Sequence, residues 1–224
     1  MNLPDNAPDA FCTYYKELVS ANQVMNLTAI IDEAEAARLH FLDSIALLRA
    51  ADFKDKCVLD VGTGAGFPGL PLKIVEDSIS LTLLDSLQKR IGFLEALCEK
   101  LELTNVECIH GRAEELAGVS GDMRESFDIV TSRALARLPV LCELCLPFVK
   151  PGGLFIAMKS GGSGEEVQNA ITACIVLGGG TPETFEYSVP GTDIVRHAVI
   201  VKKITETPVK YPRRFAKIQS SPLE

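Results

Sequence analysis

Apolar and polar positions along the chain predict two helices followed by a core of alternating strands and helices. An amphipathic helix is expected over residues 9–24, and a second one over 33–50, with Asp32 as its N-cap and Glu35 three positions later. Short apolar runs alternating with helical periods predict the rest of the core. In chain order these elements are strand 57–61, strand 81–85, helix 87–102, strand 106–109, strand 127–131, helix 136–149, strand 154–158 and helix 165–177.

The last two predicted strands, near residues 183–189 and 194–203, are separated only by a Pro-Gly turn and so should pair as an antiparallel hairpin. The fold class that follows is α/β and Rossmann-like, with a mostly parallel seven-stranded sheet, an antiparallel C-terminal hairpin and two N-terminal helices. We expect one domain over 1–224. Its parts are an N-terminal helical segment (1–52), a cofactor-binding core (53–205) and a basic tail (206–224).

The stretch CVLDVGTGAGFPG over residues 57–69 carries the main functional signal. A buried strand that runs through glycines into a helical pattern is how α/β proteins build nucleotide sites. The spacing Gly64-x-Gly66-x-x-Gly69 matches the dinucleotide fingerprint. The spacing Gly62-x-Gly64-x-Gly66 instead matches the first motif of class I S-adenosylmethionine methyltransferases.

Charge distinguishes these two interpretations of the glycines. Asp60 ends the strand, where its carboxylate would repel a pyrophosphate and attract the sulfonium and ammonium groups of S-adenosylmethionine. We therefore expect S-adenosylmethionine as the cofactor. The alternatives are a nicotinamide-dependent oxidoreductase and a non-catalytic module that binds the cofactor or RNA.

Polar residues follow the later strands at the same edge of the predicted sheet. Asp85 lies 19 positions after Gly66, where an acid accepts hydrogen bonds from ribose hydroxyls, although it would also suit a helix N-cap. After the next strand, the amide of Ala113 can read a purine edge and Glu114 can orient the loop. Arg133 suits a cofactor carboxylate or an RNA phosphate, with a surface ion pair as the alternative.

One flank of the second helix carries His40, Asp43 and Ser44, which are three to four residues apart. They form either a hydrogen-bonded cluster on the helix surface or part of the mouth of the cofactor pocket. The chain lacks the Asn/Asp-Pro-Pro-aromatic motif of exocyclic-amine methylation and the Pro-Cys nucleophile of pyrimidine carbon-5 methylation. This favours an acceptor that is nucleophilic at rest, such as guanine N7, for which alignment and exclusion of water supply the rate.

Composition places the protein in the cytoplasm. No apolar run approaches the ~20 residues of a membrane span, and the acidic N-terminus does not look like a secretory signal. The seven scattered cysteines indicate reduced thiols. Cys142-x-x-Cys145 lies in a helical apolar pattern, so we predict a packing role with metal or redox chemistry as the alternative, and expect no metal site.

Charge is distributed unevenly along the chain. The net charge is −8, whereas residues 196–224 hold seven bases and two acids, which leaves −13 for the remainder. An acidic body with a basic tail is compatible with a polyanionic partner.

Seven motifs together resemble the bacterial small-subunit rRNA guanine-N7 methyltransferases of the RsmG (GidB) family. The match runs from about residue 20 to the C-terminus. In order, the motifs are Asn26–Ile30 (NLTAI), His40–Ser44 (HFLDS), Asp60–Gly69 (DVGTGAGFPG), Leu84–Leu87 (LDSL) with Lys89-Arg90, Gly111–Glu115 (GRAEE), Thr131–Ala134 (TSRA) and Lys210–Arg214 (KYPRR).

The resemblance implies S-adenosylmethionine-dependent methylation of one guanine N7 in the decoding region of 16S rRNA, with no general base. It also implies a set of residues at matching positions that contact the cofactor. These are Gly62, Phe67, Ala113, Glu114 and Arg133.

On the RNA side, the basic tail should contact phosphate, which provides affinity without sequence choice. Phe67 or Tyr211 is expected to stack the extruded base. We expect a monomer that acts on the small ribosomal subunit, with neither DNA nor a membrane as partner. The tail residues expected to bind RNA are Lys210, Arg213, Arg214 and Lys217.

Overall fold

The computed structural model describes residues 3–159, 161 and 164–224. The strands are β1 (Cys57–Val61), β2 (Ser80–Asp85), β3 (Val106–His110), β4 (Phe127–Arg133), β5 (Val149–Lys159), β6 (Glu183–Ser188) and β7 (Val195–Lys202). The helices are α1 (Ala7–Met25), α2 (33–49), α3 (Gly69–Val75), α4 (Gln88–Lys100), α5 (Ala113–Leu116), α6 (Leu138–Cys145), α7 (Gly164–Val176) and α8 (Phe215–Ser220).

The seven strands form one sheet in the order β3-β2-β1-β4-β5-β7-β6. Strands β1 to β5 are parallel, and β7 runs antiparallel to both β5 and β6. This confirms the predicted mostly parallel sheet and its closing hairpin. The strand order reverses between β1 and β4, so the crevice at their carboxyl ends is where such a sheet binds ligands.

Both faces of the sheet are buried, because helices cover each side. Val58 and Leu59 are neighbours on β1, yet they belong to different hydrophobic clusters on opposite faces. Cys142 and Cys145 on α6 are fully buried within one of these clusters. Their predicted packing role is confirmed.

Helix α2 begins as predicted but is not regular. Asp32 caps it, since its Oδ1 accepts a 2.9 Å hydrogen bond from the amide of Glu35. The helix then passes through a π-helical stretch, Ala37–Leu42, and ends in a 3₁₀ turn, Ala46–Arg49. The wider turn buries His40 and Phe41 against the core.

Strand β5 begins at Val149, whereas the sequence predicted a turn at residues 150–153. The glycines extend the strand because they allow a neighbouring backbone to approach. Gly152 N donates to Lys203 O at 2.8 Å, and a Cβ on Gly153 would lie 2.6 Å from Asp128 O. The helix predicted over 136–149 is α-helical over Leu138–Cys145 and continues as a 3₁₀ turn over Leu146–Phe148.

No helix in the described part of the chain has both the length and the hydropathy needed to cross a membrane. Across residues 3–159, 161 and 164–224, no cluster of three or more His, Cys, Asp and Glu side chains is placed to hold a metal ion.

Candidate active site

The glycine loop turns back on the end of β2. Gly62 N donates to Leu84 O at 2.8 Å. The φ angles of Gly62 (69°) and Gly64 (61°) are in the left-handed region that glycine adopts without strain. A Cβ on Gly62 would lie 2.7 Å from Leu135 Cδ1, so a side chain at this position would also have to displace Leu135. The loop backbone therefore forms the floor of the crevice.

Gly66 faces the opposite side of the loop, toward α1. A Cβ there would lie 2.5 Å from the hydroxyl oxygen of Tyr14, and that hydroxyl donates to Ala65 O at 2.5 Å. The sequence grouped Gly66 with the cofactor-binding glycines. In the structure its direct role is to let the N-terminal helix approach the loop.

Asp60 lies inside the glycine loop and is fully buried. Its Oδ2 accepts from Thr63 Oγ1 at 2.7 Å and from Gly69 N at 3.0 Å, and its Oδ1 accepts from Thr131 Oγ1 at 3.1 Å. Burial raises the pKa of Asp60 to about 6, and these hydrogen bonds oppose the rise. The expectation that Asp60 faces the ligand at the mouth of the loop is wrong, because its carboxylate organises the loop from within.

Asp85 lies at the carboxyl end of β2 and connects three elements. Its Oδ2 accepts from Gly64 N at 3.0 Å and from Arg90 Nη1 at 3.1 Å, while its Oδ1 accepts from Leu87 N at 3.0 Å. Asp85 therefore holds the chain that enters α4, but it is not the N-cap of the alternative interpretation, because Leu87 occupies that position. It also lines a cavity at the sheet edge.

This first cavity has a volume of about 150 Å³. It brings together four residues that the sequence predicted to bind the cofactor: Gly62, Asp85, Ala113 and Glu114. Ala113 opens α5, where helix geometry leaves the first amides without intrahelical acceptors. The sequence analysis missed other lining residues, including Leu135 and Phe215, because an apolar side chain carries no local sign of a ligand.

Arg133 at the end of β4 lies beneath α2 with only 18 % of its side chain exposed, so it does not form an exposed surface ion pair. Its Nη1 donates to Leu39 O at 3.2 Å, and its Nη2 donates to His40 Nδ1 at 3.1 Å. The guanidinium carbon lies 4.8 Å from the centroid of the Phe67 ring, and Nη1 is 3.8 Å from Asp43 Oδ2. Arg133 thus connects β4, α2 and the glycine loop.

The partners of His40 fix its tautomer. Arg133 can only donate, so His40 Nδ1 accepts and Nε2 carries the proton, which it donates to Thr28 Oγ1 at 2.8 Å. Burial, and then the charge of Arg133, lower the pKa of His40 to about 4. His40 is therefore neutral near pH 7.

Phe67 is enclosed by other side chains. Its ring stacks on Tyr14 at 5.2 Å and on His40 at 4.6 Å between centroids, and it is 4 % exposed. Tyr211 is 8 % exposed, and Lys210 Nζ lies 5.2 Å from its ring centroid. The expectation that one of these rings stacks an extruded base is wrong for this conformation, because both rings are buried.

A second cavity of about 270 Å³ lies beneath α2 and the C-terminal hairpin. His40 and Asp43 line it, so this flank of α2 faces a cavity, and Asp43 Oδ1 accepts from Tyr187 OH at 2.8 Å. Burial raises the pKa of Asp43. The sequence did not predict the roles of Tyr187 and Arg196, since both come from the hairpin, more than 140 residues after Asp43.

The two cavities border one short segment. Ala134 lines the second cavity and its neighbour Leu135 lines the first. The two cavities therefore share the Ala134-Leu135 segment as part of their walls.

The basic residues of the tail differ in their exposure to solvent. Lys210, Arg214 and Lys217 are exposed. Arg213 instead forms a bidentate ion pair with the fully buried Glu143, with Nε to Oε1 at 2.8 Å and Nη2 to Oε2 at 2.6 Å. The structure thus gives Arg213 an internal partner that the sequence analysis did not foresee.

Comparison with known proteins explains why these residues occur together. A family model described as rRNA small subunit methyltransferase G (GidB) matches residues 8–190. The chain belongs to the rRNA small subunit methyltransferase G family. Proteins named ribosomal RNA small subunit methyltransferase G are 48 % identical in Acetivibrio thermocellus and 47 % in Lachnoclostridium phytofermentans, each over all of this chain and 91 % and 92 % of the relative.

Solved structures place the fold among methyltransferases. A methyltransferase from Pyrococcus furiosus superposes with a TM-score of 0.58 at 16 % identity, covering 89 % of this chain and 100 % of that one. A SAM-dependent O-methyltransferase from Thermotoga maritima gives 0.57 at 17 % identity, covering 84 % and 72 %. The predicted Rossmann-like fold and the predicted family are confirmed.

S-adenosylmethionine is the cofactor of this family, as the sequence predicted. The residues fit it, because a glycine floor, the Asp85 carboxylate and the first amides of α5 surround the first cavity. Arg90 and Arg112 line the first cavity and Arg133 lines the second, and each of them has the planar donor geometry that a carboxylate needs.

Proposed function

We propose that the protein transfers a methyl group from S-adenosylmethionine to N7 of one guanine in the decoding region of 16S rRNA, in the small ribosomal subunit. The observation that carries this proposal is the pair of cavities that border Ala134 and Leu135. One cavity has the donor set of a nucleoside site, and the other is lined by polar side chains. Membership of the family supports a methyltransferase over the nicotinamide alternative.

In this proposal the first cavity receives the adenosine half of the cofactor. Asp85 accepts hydrogen bonds from the ribose hydroxyls, and the amide of Ala113 faces the adenine edge while Glu114 orients the loop. Gly62 and Gly64 let the backbone approach the cofactor, and Arg133 pairs with its carboxylate. The second cavity then receives the target base.

The side chains around the second cavity suit an acceptor that needs no deprotonation. When bound, S-adenosylmethionine supplies an electrophilic methyl group on a sulfonium. Guanine N7 has a lone pair and no proton, so it would accept this methyl group without a base. Both ring nitrogens of His40 are engaged, and Asp43 is paired with Tyr187 and lies near Arg133. The role of these residues is to position the acceptor and exclude water.

The exposed tail cations would bind the RNA backbone. Lys210, Arg214 and Lys217 present charge to solvent near α8, and phosphate contacts of this kind provide affinity rather than sequence choice. Arg213 would act by anchoring the tail, given its pairing with Glu143. The protein would work as a cytoplasmic monomer on the ribosomal subunit.

Methyl transfer from labelled S-adenosylmethionine tests the proposal. Purified protein is incubated with small subunits and with naked 16S rRNA from cells that lack the gene, and the modified nucleotide is mapped by cleavage at N7-methylguanine. We expect one labelled guanine in the decoding region. Label on another atom would overturn the guanine-N7 assignment. Firm cofactor binding without any transfer would support a non-catalytic module.

A further inference from the structure

The C-terminal segment of residues 206–224 is attached to the core by buried polar contacts. The guanidinium of Arg124 donates to three backbone carbonyls: Ala117 O at 2.9 Å, Tyr211 O at 2.9 Å and Thr207 O at 2.5 Å. Two of these carbonyls belong to the tail, and Ala117 directly follows α5. The Arg124 side chain therefore connects the tail to the end of α5, the helix whose first residues line the first cavity.

A second attachment sets the position of the residues that follow. Glu143 on α6 is fully buried and accepts from the backbone amide of Arg213 at 2.8 Å as well as from its guanidinium. Both carboxylate oxygens are used, so the chain direction at Arg213 is fixed. Ile218, fully buried in a hydrophobic cluster, fixes the far end of α8. A loosely attached RNA-binding arm would need none of these contacts.

These attachments place Phe215 in the wall of the first cavity. Phe215 lies in the chain between Arg213 and Ile218. It is half-buried and packs against the hydrophobic cluster that contains Ile218. It lines the cavity together with Gly62, Ala113 and Glu114. The basic tail thus contributes an apolar ring to the site that its charges flank.

We propose that the C-terminal segment closes the adenine end of the cofactor cavity, with Phe215 as a cofactor-binding residue that packs against the purine. This inference rests on the proposed use of the cavity for the adenosine half of S-adenosylmethionine. A flat ring beside Ala113 suits a purine, since bases stack favourably on aromatic side chains.

Calorimetry on the full chain tests the inference. Phe215→Ala should weaken S-adenosylmethionine binding about tenfold, the loss expected when an aromatic contact to a base is removed. It should weaken 5′-methylthioadenosine, which lacks the amino-acid part, by the same factor. Phe215→Tyr should restore the affinity. The matched control is Gln219→Ala, an exposed change on the same helix that should leave both affinities unchanged.

Unchanged affinity in Phe215→Ala, or a loss confined to S-adenosylmethionine, would overturn the inference. If Phe215→Ala fails to fold in thermal denaturation, Phe215→Leu keeps the apolar packing, and a several-fold loss for both ligands is then expected. The methyl-transfer assay separates the two proposals. Failure of the wild-type protein to modify rRNA would remove the proposed function, while equal losses in Phe215→Ala would still support the tail as a cavity wall.

Discussion

Asp60 and Asp85 end neighbouring strands, and both are buried, yet their surroundings give them different roles. Asp60 receives its three hydrogen bonds from the glycine loop and β4. Asp85 also receives three, but its carboxylate borders the cavity, where a carboxylate oxygen can accept further bonds. At the scale of single residues, Asp85 is therefore the one of these two aspartates that borders the cavity.

Replacing Asp85 tests this assignment. Asp85→Ala should weaken S-adenosylmethionine binding by about 10- to 100-fold, since hydrogen bonds to charged groups contribute about 1.5–3 kcal/mol. Calorimetry provides the measurement, and Asp122→Ala, an exposed acid in a loop, is the control. Equal affinity in Asp85→Ala and wild type would mean that Asp85 only holds the entry to α4.

His40 should make stability depend on pH. Its pKa is lowered to about 4 in the folded protein, so between that value and the ordinary value of 6.5 the unfolded chain binds the extra proton. The wild type should therefore lose stability relative to His40→Gln as the pH falls through this window, by about 3 kcal/mol in total.

Urea denaturation of both proteins from pH 7 to pH 4.5 measures this difference. Asp60, whose raised pKa acts in the opposite direction, is present in both proteins and cancels. Two stability curves that stay parallel across the range would contradict the neutral, Arg133-bound state of His40.

At the scale of elements, α8 depends on the ion pair that precedes it. Arg213→Ala would leave the fully buried carboxylate of Glu143 without its partner, which typically costs about 3–5 kcal/mol. The neighbouring Arg214→Ala changes an exposed arginine and should cost less than about 0.5 kcal/mol. Denaturant unfolding of the two variants makes the comparison, and similar losses in both would show that the Glu143 pair does not anchor the tail.

Periodicity in the sequence was enough to find most elements, but not every boundary. The strand over 57–61 and the pairing of the last two strands were correct because apolar runs and turn residues act locally. The start of β5 was wrong because Gly152 and Gly153 were interpreted as a turn. Their role depends on Lys203, a pairing partner about 50 residues away that no local pattern reveals.

At the scale of the whole molecule, the charge asymmetry leads to a prediction about RNA. Arg214→Glu combined with Lys217→Glu should weaken binding of a 16S rRNA fragment and reduce its salt dependence, by about 0.7 in the log–log slope for each lost phosphate contact. S-adenosylmethionine affinity should be kept, because neither side chain lines the first cavity among the residues the structure describes there.

The matched control is Lys54→Glu combined with Lys56→Glu. These lysines precede β1 and so lie at the end of the sheet opposite the crevice. Filter binding over a range of salt concentrations compares the two pairs. Equal weakening by both pairs would show that the protein attracts RNA through its overall charge and not through the tail.

The sequence predicted those site residues that stand at the carboxyl ends of strands. Gly62, Asp85 and Ala113 could be placed together because parallel strands bring their ends to one edge. Tyr187 and Phe215 could not, since the sequence does not show how the hairpin and the tail fold back over that edge. Asp60 does lie at the glycine loop, as predicted. Its carboxylate binds the loop and β4 rather than a ligand, because spacing does not show which way a side chain points.

The contact between Tyr14 and the glycine loop joins residues 51 positions apart in the chain. A fragment that began after the first two helices would keep every glycine of the motif and lose the support behind Gly66. The short glycine motif alone is therefore not sufficient to bind a methyl donor. Cofactor binding also depends on the first helix, so a shortened enzyme with an intact motif should be defective in binding the cofactor.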